Sequence, residues 1–263
     1  MTTKKHTTAA STVPTYSMTE RDRRWDLARA FMQHERLDAL LVHGEHEDAG
    51  AAPFAYDTWF TNGRAGTTVV FPRDGDPVSL FPMEMFAKDH LESTRRGDVL
   101  WLPAENVRAS RDSRAVVGEL EALGLRGATV GVAGLEGAPP WHPEGIMPYG
   151  LWSRVLEQLP GVMFRPVGMA LARLMLPLGA EEVAVVRRAA GIGDEMVRAM
   201  VGAAGAGVSE STVYAAGMAA GYARGTTPAA MHLWSGPDVL ARGLPQWSYR
   251  PQEPRVLREG DVV

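Results

Sequence analysis

The spacing of apolar and polar residues predicts a first half in which short strands alternate with helices. Trp25, Ala28 and Met32 fall on one face of a helix predicted over residues 20–36, and Thr19 with the acid three positions later resembles a capping box. Short apolar, β-branched runs bounded by Gly, Asp and Pro are typical of strands, and the turn at 73–76 favours a hairpin. Strands are predicted at 37–42, 56–61, 67–71, 78–81, 99–102, 128–132 and 162–164, and further helices at about 113–123 and 144–159.

This alternation indicates an α/β domain with a mixed sheet, and the pattern then changes after Gly179. Two acids suited to a first helical turn open a long amphipathic helix. Its apolar stripe consists of Val183, Val186, Ala190, Val197, Met200 and Val201. Gly205–Gly207 ends this helix, and Ser209 caps a second helix that reaches Tyr222. We therefore predict a disordered tail over 1–18, an N-terminal domain over 19–167 and a C-terminal domain over 168–263.

The last residues predict a turn followed by the start of a strand. Glu259–Asp261 has the Gly and Asp of a tight turn, and Val262–Val263 opens a β-branched run. Two helices and a fragment of sheet make a small core for an independent domain. We expect the chain to be part of a longer protein.

The composition excludes several functional classes. Of 263 residues, 45% are apolar and 22% charged, as in globular proteins, and the net charge of −4 gives no general attraction to nucleic acid or anionic membranes. There is no cysteine, which excludes disulfides and thiolate chemistry. No apolar run approaches the ~20 residues that span a bilayer. We predict a cytoplasmic protein that binds neither nucleic acid nor membranes.

Three short segments contain residue types that can carry chemistry. His232 lies in a predicted strand at 229–234, where it is either a substrate or proton contact or a hydrogen-bonded, partly buried histidine of the sheet; we favour the second reading. His43–Asp48 is rich in metal-ligand types, but its residues are adjacent in sequence, which favours a solvated loop. Gly202–Gly207 lacks the context of a phosphate loop and is interpreted as a helix end.

The order of these segments resembles the creatinase and Xaa-Pro peptidase family, a group of metallopeptidases with the pita-bread fold. Each motif is weak alone, but their order and spacing extend over nearly the whole chain after the tail. The resembling stretches are Arg24 and Leu27 with Arg36–Val42, then Tyr56–Gly63, Val69–Pro77, Leu178–Ala190, Gly207–Glu210, Trp234–Pro237 and Leu257–Val263.

The resemblance implies an N-terminal creatinase-like α/β domain that makes dimer contacts and shapes the substrate cleft. It also implies the incomplete start of an α+β pita-bread catalytic domain, whose complete form holds two divalent metal ions. The family's ligands follow the Gly260–Asp261 turn, in the strand that Val262–Val263 begins. We therefore expect two metal ions in the full-length protein, and no metal ligand, cofactor or catalytic residue in this chain.

One departure from the family concerns its catalytic histidine. Members that hydrolyse peptides or creatine carry a His shortly before the Gly-Asp turn, whereas residues 246–253 contain none. Tyr249 could donate a hydrogen bond there, but a phenol is a poor acid–base group at neutral pH.

The combined hypothesis is the N-terminal portion of a homodimeric metal-dependent hydrolase acting on a small peptide or small molecule. His232 is the candidate substrate-binding residue, and this chain alone is expected to be inactive. The alternatives are a metal-free pita-bread module that binds a peptide or protein, and a lyase-type member of the same fold.

Overall fold

The computed structural model describes residues 13–45, 56–137, 142–228, 231–238 and 243–263. Contacts divide the chain into two units, of which the first is Tyr16–Gly179. The strands of this first unit are β1 (Ala39–His43), β2 (Thr68–Pro72), β3 (Val78–Leu80), β4 (Val107–Arg108), β5 (Thr129–Ala133) and β6 (Met163–Pro166). They form one mixed sheet in the order β4-β3-β2-β1-β5-β6, which confirms the predicted α/β class.

β1 lies inside the sheet and is buried on both faces. It pairs antiparallel with β2 and parallel with β5, and β2 and β3 form the predicted hairpin. Leu40 and Val42 pack into one apolar cluster, whereas Ala39 and Leu41 pack into a second cluster on the opposite face. Successive side chains of a strand point to opposite faces. Because both faces are buried here, residues 39–42 are all apolar instead of alternating with polar residues.

Helices cover both faces of the sheet. They are α1 (Met18–Glu35), α2 (Tyr56–Thr61), α3 (Glu84–Arg95), α4 (Ser113–Ala122), α5 (Tyr149–Gln158) and α6 (Gly168–Met175). The predicted apolar face of α1 is confirmed, because Trp25, Ala28 and Met32 are buried. The predicted cap is wrong: the hydroxyl of Ser17, rather than Thr19, accepts a hydrogen bond from the Glu20 amide at 3.2 Å.

Several predicted elements of the first unit need correction. Residues 56–61 were predicted as a strand from their aromatic and Thr content, but they form α2, in which buried Trp59 and Phe60 both contribute to the core. Residues 99–102 are not a strand, although Trp101 and Leu102 are buried. In both segments burial, rather than strand pairing, explains the apolar residues. The helix predicted over 144–159 begins at Tyr149, directly after a proline, and α3 and α6 were not predicted.

A buried arginine anchors α1 to the body of the first unit. Arg24 is 3% exposed and forms an ion pair of 2.8 Å with Glu20. Its guanidinium lies 4.5 Å from the ring centroid of Tyr16 and 5.1 Å from that of Trp101. Burial of both charges is tolerated because they pair with each other and the aromatic faces attract the cation.

The second unit is built on Ala180–Val263 and begins with two helices, α7 (Ala180–Ala203) and α8 (Glu210–Ala223). Both were predicted, and Ser209 caps α8 by accepting a hydrogen bond from the Ser211 amide at 3.2 Å. α7 ends before Gly207, whose φ of 83° is the left-handed conformation that favours glycine. The interpretation of the glycine-rich segment as a helix end is therefore confirmed.

The apolar stripe of α7 is largely uncovered within this structure. Val186, Val197 and Val201 are exposed by 54%, 57% and 70%.

The boundary between the two units lies after Gly179. The prediction placed α6 in the second domain over 168–263, but α6 packs with the first unit. Most of the tail predicted over 1–18 lies outside the described residues, and α1 already begins at Met18.

Candidate functional site

An apolar groove runs along the second unit between α7, α8 and the segment that follows α8. Its volume is about 720 Å³. The groove is lined by Gly193, Met196, Val197, Met200, Val201, Ala204, Val213, Pro228, Met231, His232, Leu233, Trp234 and Val263. His232 is the only titratable side chain in this set, so the groove suits an uncharged, apolar ligand surface.

Methionines and glycines set the shape of the groove. A Cβ atom on Gly217 of α8 would lie 2.7 Å from Cγ of Met200 and 2.8 Å from Sδ of Met231. A Cβ on Gly221 would lie 3.0 Å from Sδ of Met196. Because these two glycines have no side chain, α8 leaves room for the thioethers of Met196, Met200 and Met231. Methionine side chains are flexible and polarizable, so such a surface can adapt to different apolar partners.

His232 lies on the exposed side of the segment that borders the groove. Its neighbours Met231 and Leu233 are buried, whereas His232 is exposed. The prediction of a partly buried histidine is therefore wrong for this chain. The side chain is accessible to a ligand in the groove, and its assignment as a substrate contact remains a proposal.

Among the described residues, the segment around His232 has strand-like pairing at two points. Gly236 exchanges two backbone hydrogen bonds with Val262, at 3.0 and 2.8 Å, in an antiparallel bridge. On the opposite edge, the Leu233 amide donates to the Gly243 carbonyl at 3.1 Å. The predicted strand at 229–234 is not formed as an element among the described residues, and residues 229 and 230 lie outside them. An isolated bridge does not make a ladder.

A network of polar side chains holds the Gly-Asp turn against the start of α8. Arg255 donates two hydrogen bonds to Asp261, at 2.6 and 2.8 Å, and a third to the Ser235 hydroxyl at 2.8 Å. That hydroxyl donates to buried Glu210 at 2.6 Å. The Arg258 amide also donates to the Asp261 carboxylate. These bonds, those from Arg255 first, hold the pKa of Asp261 below its usual value.

We expect Asp261→Asn to loosen the turn without unfolding the chain. The amide side chain cannot form the two-hydrogen-bond ion pair with Arg255, so the bridge between Gly236 and Val262 should open more often. Hydrogen exchange of the Gly236 and Leu257 amides should accelerate by about tenfold. Glu259→Gln, on the exposed part of the same turn, is the matched control and should leave both rates unchanged. Equal rates in Asp261→Asn and the parent chain would contradict a clamping role for this pair.

Of the segment predicted as a solvated loop after β1, the described residues His43 and Glu45 are not solvated. His43 is 3% exposed and its Nδ1 lies 3.0 Å from the Thr68 hydroxyl. Glu45 pairs with His142 at 2.8 Å, and residues 46–48 lie outside the described residues. Burial, together with the nearby positive charge of Arg111, lowers the pKa of His43 to about 3. The histidine is therefore neutral at physiological pH.

Asp57 is a second buried titratable group close to β1. It is 0% exposed, and its Oδ2 accepts hydrogen bonds from the Thr67 amide at 2.8 Å and the Thr67 hydroxyl at 3.0 Å. Burial raises its pKa despite these bonds. Sequence reasoning missed this residue because the segment was assigned to a strand. Asp57 and Thr67 are ten residues apart, and no sequence pattern between them predicts that they form a hydrogen bond.

Within the described parts of the chain, no group of three or more His, Asp and Glu side chains is placed to hold a metal ion. No helix among the described residues combines the length and apolar character needed to cross a membrane. Tyr249, the alternative hydrogen-bond donor before the turn, is 64% exposed.

Three solved structures with the same fold are a prolidase, an Xaa-Pro dipeptidase and a dipeptidase. The prolidase from Pyrococcus horikoshii OT3 aligns with 91% of this chain and 58% of its own length, with a TM-score of 0.61 and 15% identity. The Xaa-Pro dipeptidase from Bacillus anthracis aligns with 92% of this chain and 59% of its own, with a TM-score of 0.62 and 16% identity. The dipeptidase PepE from Mycobacterium ulcerans gives 94% and 59%, a TM-score of 0.59 and 21% identity.

These similarities establish the fold. The sequence matches no protein-family model, and its comparison with curated proteins finds no match. The predicted resemblance to the Xaa-Pro peptidases is confirmed at the level of the pita-bread fold. The chain spans 58–59% of the length of the three solved structures named above.

Proposed function

We propose that this chain, which has the fold of the Xaa-Pro peptidases, is the N-terminal portion of a metal-dependent hydrolase that cleaves an amide or peptide bond. The observation that carries the proposal is the fold match over 91–94% of the chain, which includes both units in the same order. In the full-length protein, two divalent metal ions would activate water and polarise the bond. The ligands of those ions would be supplied by residues that follow Val263.

The groove of the second unit supports this proposal, because its lining includes both His232 and Val263. The segment with His232 and the Gly260–Asp261 turn border the same surface, through the pairing of Gly236 with Val262. In the proposed full-length protein, a substrate at the metal site would therefore lie within reach of His232. We propose His232 as a substrate contact rather than a catalytic base, because its side chain is exposed and has no described partner that would orient it.

The remaining attributes of the parent protein belong to the same proposal. We propose a homodimer in the cytoplasm, whose substrate is a small peptide or a small molecule and which binds neither nucleic acid nor membranes.

A second candidate function is favoured by one observation. The methionine-rich groove suits a metal-free module that binds an apolar peptide.

The reading frame beyond Val263 tests the hydrolase proposal directly. We expect two Asp codons within the strand that follows and His and Glu codons later. We expect the longer product to contain two divalent metal ions per chain by elemental analysis and to cleave an Xaa-Pro dipeptide, with loss of activity in EDTA. Apolar residues at those positions would reject the hydrolase in favour of the metal-free module. Stoichiometric metal and turnover in the 263-residue chain itself would contradict the expectation that this portion is inactive.

A variant of the longer product tests the role of His232. We expect His232→Gln to raise KM for the dipeptide by about tenfold with little change in kcat, because a binding contact contributes equally to the ground and transition states. His34→Gln, whose side chain is 83% exposed on α1, is the matched control. A fall in kcat at constant KM would instead assign His232 to the chemical step.

A further inference from the structure

The chain contains two asparagines, and they differ in the residue that follows them. Asn62 precedes Gly63, whereas Asn106 precedes Val107. The side-chain amide of an asparagine can be attacked by the backbone nitrogen of the next residue. A glycine leaves that nitrogen unobstructed, because it has no Cβ and the widest range of φ and ψ, whereas a β-branched valine crowds it. The sequence therefore makes Asn62 the more reactive of the two.

Asn62 lies in an exposed turn directly after α2. Asn62 and Gly63 are both exposed, so water reaches the peptide bond between them. The φ of Asn62 is 46°, a left-handed conformation that is uncommon outside glycine. Its amide donates to the Thr58 carbonyl at 2.8 Å and ends the helix as a C-terminal glycine does. The end of a short helix opens more readily than the core of the unit.

A buried hydroxyl holds the nitrogen that would make the attack. The Gly63 amide donates to the Thr61 hydroxyl at 3.2 Å, and this hydroxyl donates to the backbone carbonyl of Asp57 at 2.9 Å. Thr61 is 4% exposed, so its position is fixed by the packing of the first unit. The Gly63 amide must leave this hydrogen bond before its nitrogen can turn towards the Asn62 side chain. Thr61 therefore controls how often the reaction can begin.

Asn106 has the opposite arrangement. Its side chain is half-buried, and its Nδ2 donates to the Pro77 carbonyl at 3.1 Å. The amide of Val107, which is the first residue of β4, donates to the Ala104 carbonyl. Both reacting groups are thus held by hydrogen bonds, and the following residue is β-branched. Asn106 serves as the unreactive reference within the same chain.

We propose that Asn62 is a site of spontaneous deamidation and that the Thr61 hydroxyl controls its rate. The Gly63 nitrogen forms a bond to the side-chain carbonyl carbon of Asn62 and loses its proton, and the side-chain nitrogen leaves as ammonia. Water then opens the five-membered imide at either carbonyl. One product is aspartate, and the other is isoaspartate, in which the main chain runs through the side-chain carbon. The reaction needs water alone, and the proposal does not depend on the hydrolase function of the parent protein.

Mass spectrometry of the 263-residue chain, incubated at mildly alkaline pH and then digested, tests the proposal. We expect the mass gain of an amide-to-carboxyl conversion at Asn62 and none at Asn106. The isoaspartate product should accept a methyl group from an isoaspartyl methyltransferase. A free peptide of residues 58–66 should react faster than the folded chain, because its Gly63 amide is not held. No conversion of Asn62 in the folded chain, after a time in which the peptide reacts completely, would overturn the proposal.

Substitutions at Thr61 test the control of the rate. Thr61→Val removes the hydroxyl and should accelerate deamidation of the folded chain about fivefold, which is within the effect of one hydrogen bond. Thr61→Ser keeps the hydroxyl and should react at the parent rate. In the free peptide of residues 58–66, Thr61→Val should have no effect, which separates the hydrogen bond from an effect of sequence. Equal rates in folded Thr61→Val and the parent chain would overturn control by Thr61.

A substitution at Gly63 tests the attacking nitrogen independently of Thr61. A Cβ atom on Gly63 would lie 3.4 Å from the Thr61 hydroxyl, which is an ordinary contact, so Gly63→Ala keeps the fold even where Thr61→Val lowers stability. The added methyl group obstructs the nitrogen, and we expect deamidation to slow about tenfold in both the chain and the peptide. An unchanged rate in Gly63→Ala would overturn attack by this nitrogen.

Discussion

Gly44→Ala is expected to destabilise the first unit by about 3 kcal/mol or more, because there is no room for a single methyl group. A Cβ atom at this position would lie inside the van der Waals contact distance of the Asp57 carboxylate. That carboxylate is buried and held by the Thr67 amide and hydroxyl, so it cannot move aside without losing both hydrogen bonds. The loss should appear as a lower midpoint of urea unfolding.

The chain offers a control and a rescue for this substitution. Gly118 is an exposed residue inside α4 and has open space around it, so Gly118→Ala should raise stability by about 0.5–1 kcal/mol through helix propensity. Asp57→Ser shortens the obstructing side chain and keeps an acceptor near Thr67. The double variant Gly44→Ala, Asp57→Ser should therefore be more stable than the sum of the single effects. Strict additivity would show that the carboxylate is not the cause.

Acidification below pH 6.5 is expected to destabilise the first unit through His43. The folded pKa of about 3 lies below the ordinary value of 6.5, so the unfolded chain binds a proton that the folded chain does not. Folding stability is therefore complete above pH 6.5 and falls as the pH decreases towards 3. From these two pKa values the loss is about 2 kcal/mol at pH 5 and about 3 kcal/mol at pH 4.

The measurement is urea unfolding at a series of pH values in the parent chain and two variants. His43→Asn keeps a hydrogen-bonding group near Thr68 but has no proton to bind, so it should flatten the slope between pH 4 and 6.5. His34→Gln removes an exposed histidine and should leave that slope unchanged. Asp57 has the opposite effect. Burial raises the pKa of its carboxyl in the folded chain, so its contribution to folding stability increases as the pH falls. An identical slope in His43→Asn and the parent would assign the acid sensitivity to other groups.

The sequence predicts those parts of the fold in which local pattern and tertiary packing agree. α7 has a clear apolar stripe, α8 has its Ser209 cap, and the β2–β3 hairpin has a turn that only a few residues can form. Residues 56–61 were misassigned because aromatic residues with Thr favour strands, while packing of Trp59 and Phe60 into the core favours a short helix. A six-residue window does not contain that information.

The candidate site was predictable only in part, for a related reason. The Gly260–Asp261 turn can be recognised from its residue types, and the structure gives it a hydrogen-bonded partner in Arg255. The exposed position of His232 could not be predicted, because it depends on how little of the segment 231–236 is paired. The burial of His43 and Asp57 depends on residues far away in sequence, such as Thr68 and Arg111.

The unequal cores of the two units determine how any stability measurement on this chain must be interpreted. The sheet of the first unit supports two large apolar clusters, whereas the described core of the second unit is a small cluster around Val213, Leu233 and Leu257. A small apolar core gives little free energy of unfolding. Denaturation should therefore be non-cooperative across the chain, with the second unit unfolding at lower urea, and one midpoint would not describe both. Trp152 lies in the first unit and Trp247 in the second. A fluorescence change must be assigned to one of these units before a free energy of unfolding is calculated from it.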